Sequence, residues 1–204
     1  MSEKIRIAVL VSGGGTNLQA LINAQKSGVI RSGEIVLVVS NNPDAYALKR
    51  AENEGIATAV CVKKGVPQAD FEEKLISLLE ENGIQLIILA GFMCILSEAF
   101  TSRYPKRIIN VHPSLIPSFC GKGFYGLHVH EAALGYGVKV TGATVHLVTS
   151  GVDEGPILLQ KAVEVLPGDT PEVLQKRVME QAEWVLLPRA AEMIAREIAD
   201  AKER

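Results

Sequence analysis

The sequence has no block of Lys and Arg, no apolar run of the roughly 18 residues a membrane span needs, and only three cysteines, Cys61, Cys94 and Cys120. Each shortage removes a class of protein. With charges of both signs interspersed and a net charge of −2, nothing favours nucleic acid or a membrane surface as partner, and small molecules are the expected ligands. An odd number of widely spaced cysteines forms neither a disulfide framework nor a Cys-x-x-Cys pair, so a reducing compartment is expected. The N-terminal residues show no charged stretch followed by a long apolar one, and the expectation is an unexported, cytoplasmic protein.

Several catalytic and cofactor signatures are missing too. No Gly-Lys-Ser/Thr ending completes a Walker A loop, and Leu18 stands where a dinucleotide fingerprint wants its third glycine. After the second apolar run the chain reads Ser40-Asn41-Asn42-Pro43, with no carboxylate to grip a nicotinamide ribose. Gly-x-Ser-x-Gly is absent, which excludes the hydrolase elbow. A metal held by His112, His146 and Asp153 is conceivable, but no tight ligand spacing supports it, and no metal is expected.

What is present is enough for one well-cored domain: 204 residues, 48% of them hydrophobic. Apolar β-type runs over residues 5–11, 35–39, 58–62, 86–89 and 107–111 alternate with helical patterns over 18–26, 44–54 and 70–81. Repeated βα units predict a mostly parallel sheet with helices on both faces. Residues 138–148 and 157–165 are long β-patterned runs joined by a short link, which predicts an antiparallel pairing. Thr170 and Pro171 read as N-cap and first residue of a helix to Leu187, where Pro188 is expected to break or kink it. Residues 189–204 read as a charged terminal helix prone to fraying. The fold class is therefore α/β, single-domain and Rossmann-like, with an antiparallel strand in the C-terminal half.

Two segments carry chemistry. Ser12-Gly13-Gly14-Gly15-Thr16-Asn17 lies between the first strand and first helix, where glycines admit a ligand and helix-start N–H groups hold an anion. A tight turn with permissive backbone angles is the alternative. A sugar monophosphate fits better than a dinucleotide. Asn110-Val-His112-Pro-Ser-Leu places an amide and an imidazole on one side of an extended segment, because strand side chains alternate. Asp153 in Gly-Val-Asp-Glu-Gly-Pro is a carboxylate within reach of that imidazole once folded, or else a turn residue. His128, His130 and His146 read as surface, packing or strand residues with structural roles.

The motifs Ser12-Gly-Gly-Gly-Thr-Asn-Leu-Gln, Leu89-Ala-Gly-Phe-Met, Asn110-Val-His-Pro-Ser-Leu-Ile-Pro, Thr141-Gly-Ala-Thr-Val-His and Gly151-Val-Asp-Glu-Gly-Pro follow in consistent order from about Ile5 to Pro188. In this the chain resembles the folate-dependent glycinamide ribonucleotide formyltransferases of purine biosynthesis. The resemblance implies transfer of a formyl group from the co-substrate 10-formyltetrahydrofolate to the amine of glycinamide ribonucleotide, without a metal. It implies a single formyltransferase domain over residues 1–204, with a phosphate-binding half to about residue 100 and a folate-binding, catalytic half after it.

By position, Gly13, Gly14, Gly15, Thr16 and Asn17 match the loop holding the ribonucleotide phosphate, and Glu183 matches a further substrate contact. Met93, Cys94, Ile95 and Leu96 match the folate-pocket segment, and Thr149, Ser150, Gly151, Val152 and Asp153 match the loop around the pterin, with Asn110 also at the folate. Asn110, His112 and Asp153 match the catalytic trio. Asn110 and a protonated His112 are expected to serve the oxyanion, with Asp153 raising the His112 pKa.

There are departures. Cys94 stands where many members carry arginine, Gln68 falls near another replaced arginine, and the Ser118–Gly126 loop is longer than in the shortest relatives, with Lys122 as a candidate cation. Formyltetrahydrofolate hydrolase and methionyl-tRNA formyltransferase share the trio but imply an extra domain or a basic tRNA surface. A non-catalytic sugar-phosphate-binding module is the reading from another class.

Overall fold

The structure is a computed structural model that describes residues 3–202. Its first half alternates β1 (Ile5–Val11), α1 (Thr16–Lys26), β2 (Gly33–Ser40), α2 (Tyr46–Asn53), β3 (Ala57–Val60), α3 (Gln68–Glu81) and β4 (Leu86–Leu89). There follow α4 (Glu98–Arg103), β5 (Ile108–His112), α5 (Leu127–Tyr136), β6 (Val140–Leu147) and β7 (Ile157–Glu164). The described chain closes with α6 (Pro171–Val178), a π-helical turn (Met179–Glu183) and α7 (Trp184–Lys202). One seven-stranded sheet runs through it in the order β3-β2-β1-β4-β5-β6-β7.

The first five strands pair in parallel, and β6–β7 pair antiparallel, as the sequence pattern predicts; β5–β6 also pair antiparallel, which the pattern does not indicate. Helices cover both faces. On one, Leu18, Leu21 and Ile22 of α1 and Leu187, Ala190 and Ala191 of α7 pack on Ile7, Val9 and Ile88. On the other, Phe71, Leu75 and Leu79 of α3 and Phe100 of α4 pack on Leu10, Ile87 and Leu89. With β1 flanked by β2 and β4, the strand order reverses at its carboxyl end, where open α/β sheets bind ligands.

Pro188 does not end the last helix. It sits inside α7, at a cost of about 3 kcal/mol for its missing N–H and its ring. Leu186, Leu187 and Ile194 are buried around it, each worth roughly 1.5–3 kcal/mol, so packing outweighs the break. The irregularity falls one turn earlier, in the π-helical Met179–Glu183. Nor is the C-terminal stretch a loose surface helix, since Ala190, Ala191, Ile194 and Ala195 are core residues. Thr170 caps α6 as predicted, its side chain accepting the Val173 N–H. No helix among the described residues is long and apolar enough to cross a membrane.

Candidate functional site

A cleft of about 590 Å³ opens at the carboxyl ends of the parallel strands and is lined from β4, β5, the Ser118–Gly126 loop, the β6–β7 loop and the π turn. Asn110 and His112 enter it from β5. Their neighbour in the sheet is β6, whose His146 is the register partner of Asn110. Side chains of directly opposed residues share a sheet face, so His146 joins the site. Asn110 Nδ2 lies 3.2 Å from His146 Nε2. The structural role first read for His146 is therefore corrected: it is a strand residue and also part of the cluster.

Asp153 completes the group from the β6–β7 loop. It is held in the left-handed region at φ 58°, where Asp is tolerated better than most residues, an outlier of the kind that clusters at functional sites. Its Oδ2 accepts the Gly121 N–H at 3.0 Å and stands 3.4 Å from His112 Nδ1. Its Oδ1 stands 3.5 Å from His146 Nε2. One carboxylate thus faces two imidazoles. Burial pushes the Asp153 carboxyl up, but hydrogen bonding to His146, the nearby His112 and the Gly121 N–H outweigh it and hold it below its ordinary value.

Protons on the two rings follow from their carbonyl partners. The Phe119 carbonyl oxygen, 2.8 Å from His112 Nε2, can only accept, so Nε2 carries hydrogen and Nδ1 turns to Asp153. The Leu147 carbonyl likewise takes the Nδ1 hydrogen of His146 at 2.9 Å. His146 Nε2 then faces both the Asn110 amide and the Asp153 carboxylate.

Asp153 raises the His112 pKa as expected, but burial outweighs it. Burial at 4% exposure lowers it, the Asp153 carboxylate and the Phe119 carbonyl raise it, His146 lowers it again, and the balance falls below the ordinary value. Burial thus favours the neutral form of His112. The bend after it is fixed by Ser114, whose hydroxyl donates to the Ser118 carbonyl at 2.5 Å, and by Thr144, whose hydroxyl donates to the Ser114 carbonyl at 2.7 Å. His130 is fully buried in the wall of the cleft, with neither ring nitrogen bonded among the described residues, and burial lowers its pKa to about 4. It is a packing residue of the site. His128 is exposed and pairs with Glu131.

The Gly-rich loop reaches the cleft at its end. Asn17 lines it; Thr16 instead borders a separate hollow between α1, Arg50 and Trp184. Gly15 caps α1 at φ 74°, and a Cβ there would meet the Ala47 Cβ at 2.6 Å, so only glycine fits. Gly13 and Gly14 face open space. The π turn brings Glu183 against the loop, where Asn17 Nδ2 donates to Glu183 Oε2 at 2.7 Å. Burial pushes the Glu183 carboxyl up to about 7, with the Asn17 hydrogen bond opposing.

Across the cleft, Met93 and Ile95 present apolar side chains that are 57% and 61% exposed, with Cys94 and Leu96 in the same wall. An apolar wall left open beside polar groups is the usual make-up of a small-molecule site. Thr149 to Asp153 line the cleft beside it, and Lys122 is the one Lys or Arg in its lining among the described residues.

A doubly wound sheet carrying a proton-handling cluster between a Gly-rich loop and an apolar wall belongs to the group-transferring enzymes. Residues 5–190 match the family described as Formyl transferase, and the chain belongs to that family. It is 40% identical over 178 residues to a protein named phosphoribosylglycinamide formyltransferase from Escherichia coli strain K12, covering 87% of this chain and 81% of that one. A crystal structure titled glycinamide ribonucleotide transformylase 1, from Symbiobacterium toebii, superposes with a TM-score of 0.88 at 42% identity, over 95% of this chain and 89% of the other. The trifunctional purine biosynthetic protein adenosine-3 of Gallus gallus is 45% identical over 195 residues, but this chain spans only 19% of its length. It spans 61% of a chloroplastic phosphoribosylglycinamide formyltransferase from Arabidopsis thaliana.

Proposed function

We propose that this chain transfers the formyl group of 10-formyltetrahydrofolate to the amino group of glycinamide ribonucleotide, giving formylglycinamide ribonucleotide and tetrahydrofolate in de novo purine biosynthesis. The observation that carries the reading is the chain of contacts Asn110–His146–Asp153–His112, at the centre of a cleft with an acceptor loop on one side and an apolar wall on the other. Gly13 to Asn17 and Glu183 are assigned to the ribonucleotide, and Met93 to Leu96 with Thr149 to Asp153 to the folate.

The acceptor amine is its own nucleophile. It forms a C–N bond to the formyl carbon, the folate nitrogen leaves, and one proton passes from the first nitrogen to the second. The Asn110 amide supplies an N–H for the oxyanion. His112, whose neutral form burial favours, takes the proton at Nδ1, where Asp153 stabilises the resulting imidazolium, and releases it toward the departing nitrogen.

The test is purified protein mixed with glycinamide ribonucleotide and 10-formyltetrahydrofolate, with the folate absorbance followed. Turnover that depends on both substrates is the expected result. No turnover, or turnover with water in place of the amine, overturns the proposal.

A further inference from the structure

We propose that Gln68 and Glu72, on α3, are positioning residues for the formyl donor, holding the Gly91–Ser97 segment in the shape that receives it. The inference rests on the reading of Met93 to Leu96 as the donor wall.

That segment joins β4 to α4 and has no ladder of its own, so its backbone groups need partners from elsewhere. Ser12 Oγ accepts the Met93 N–H at 2.8 Å. Cys94 Sγ accepts from Asn41 Nδ2 at 2.9 Å, and further anchors come from α3. Gln68 Nε2 donates to the Ile95 carbonyl at 3.1 Å and to Glu72 Oε1 at 2.7 Å. Glu72 Oε1 also accepts the Ser97 N–H at 2.7 Å, and Oε2 accepts the Ser97 hydroxyl at 2.5 Å.

The chemistry of these contacts argues for more than stability. Glu72 is 6% exposed and lies on a helix face otherwise filled by Phe71, Leu75 and Leu79. All three of its bonds come from neutral donors, so a costly buried carboxylate stands where an apolar side chain would serve packing better. What the carboxylate adds is direction. It orients the Ser97 hydroxyl so that the oxygen caps α4, accepting the Phe100 N–H at 3.2 Å. Fixing Ser97 and the Ile95 carbonyl leaves the Met93 and Ile95 side chains turned into the cleft.

The experiment uses the whole chain, with donor and acceptor varied separately. Glu72→Leu is expected to raise the donor KM by roughly tenfold, with kcat and acceptor KM within about twofold of wild type. Gln68→Leu should raise the same parameter less. Glu72→Gln, which keeps the shape and a carbonyl acceptor, should restore most of the donor affinity. A purely structural role would lower the melting temperature and the active fraction while leaving donor KM alone, and that result overturns the inference, as does a parallel rise of both KM values. Should Glu72→Leu not fold, Gln68→Leu carries the same test. Absence of wild-type turnover overturns the donor reading, and this inference with it; turnover with unchanged donor KM in the variants overturns this inference alone.

Discussion

Nδ1 of His112 lies 3.4 Å from Oδ2 of Asp153, with the two side chains 5% and 9% exposed. Asp153 raises the proton affinity of a ring that burial lowers. Asp153→Asn removes the raising contribution, so the His112 titration, followed by proton NMR, is expected to move to still lower pH. The kcat should drop about a hundredfold or more. An unmoved titration would show that the carboxylate does not govern the ring.

Glu183 gives the protein a pH signature. Its carboxyl is raised from 4.5 to about 7, so between those values the folded chain holds a proton that the unfolded chain releases. Stability from this group is therefore full at acid pH, declines as pH rises through the window, and levels off above about 7, by at most roughly 3 kcal/mol. Glu183→Gln should abolish the decline, so thermal melts of variant and wild type diverge from pH 5 to pH 8 in favour of the variant. Parallel curves would contradict the raised value. Glycinamide ribonucleotide should bind the variant more weakly.

His146 is the cheapest check on the role assigned to it. His146→Phe keeps a ring on β6 but removes the partner of Asn110 and one neighbour of Asp153. The kcat is expected to fall about tenfold to a hundredfold, with both KM values little changed. A variant as active as wild type would return His146 to a purely structural role.

At Gly15, an Ala substitution combines a left-handed backbone with a Cβ only 2.6 Å from that of Ala47. The expected loss is about 1–3 kcal/mol, read by denaturant melts, together with weaker acceptor binding. Gly13→Ala, whose Cβ meets nothing within 4 Å, is the control and should melt like wild type.

Much of this architecture is legible in the chain itself. The limits of β1 and β4 are read residue for residue, because a fully buried parallel strand is a continuous apolar run. The Thr170-Pro171 start of α6 follows from local capping chemistry. Asn110 and His112 share a face because strand side chains alternate, which requires no tertiary knowledge. His146 escapes such reading, because its place beside Asn110 depends on the β5–β6 register, a pairing across 36 residues. Pro188 escapes it too, since the packing that overrules a proline is contributed by the sheet.

The sequence by itself determined the doubly wound half, the antiparallel return, and the resemblance that joined an amide, an imidazole and a distant carboxylate to one reaction. Only the tertiary structure decided how those groups hold their protons. Burial sets the solvation cost of an ionised ring, and the carbonyls of Phe119 and Leu147 set which nitrogen carries hydrogen. Both depend on what surrounds a side chain after folding, which its neighbours in sequence do not specify.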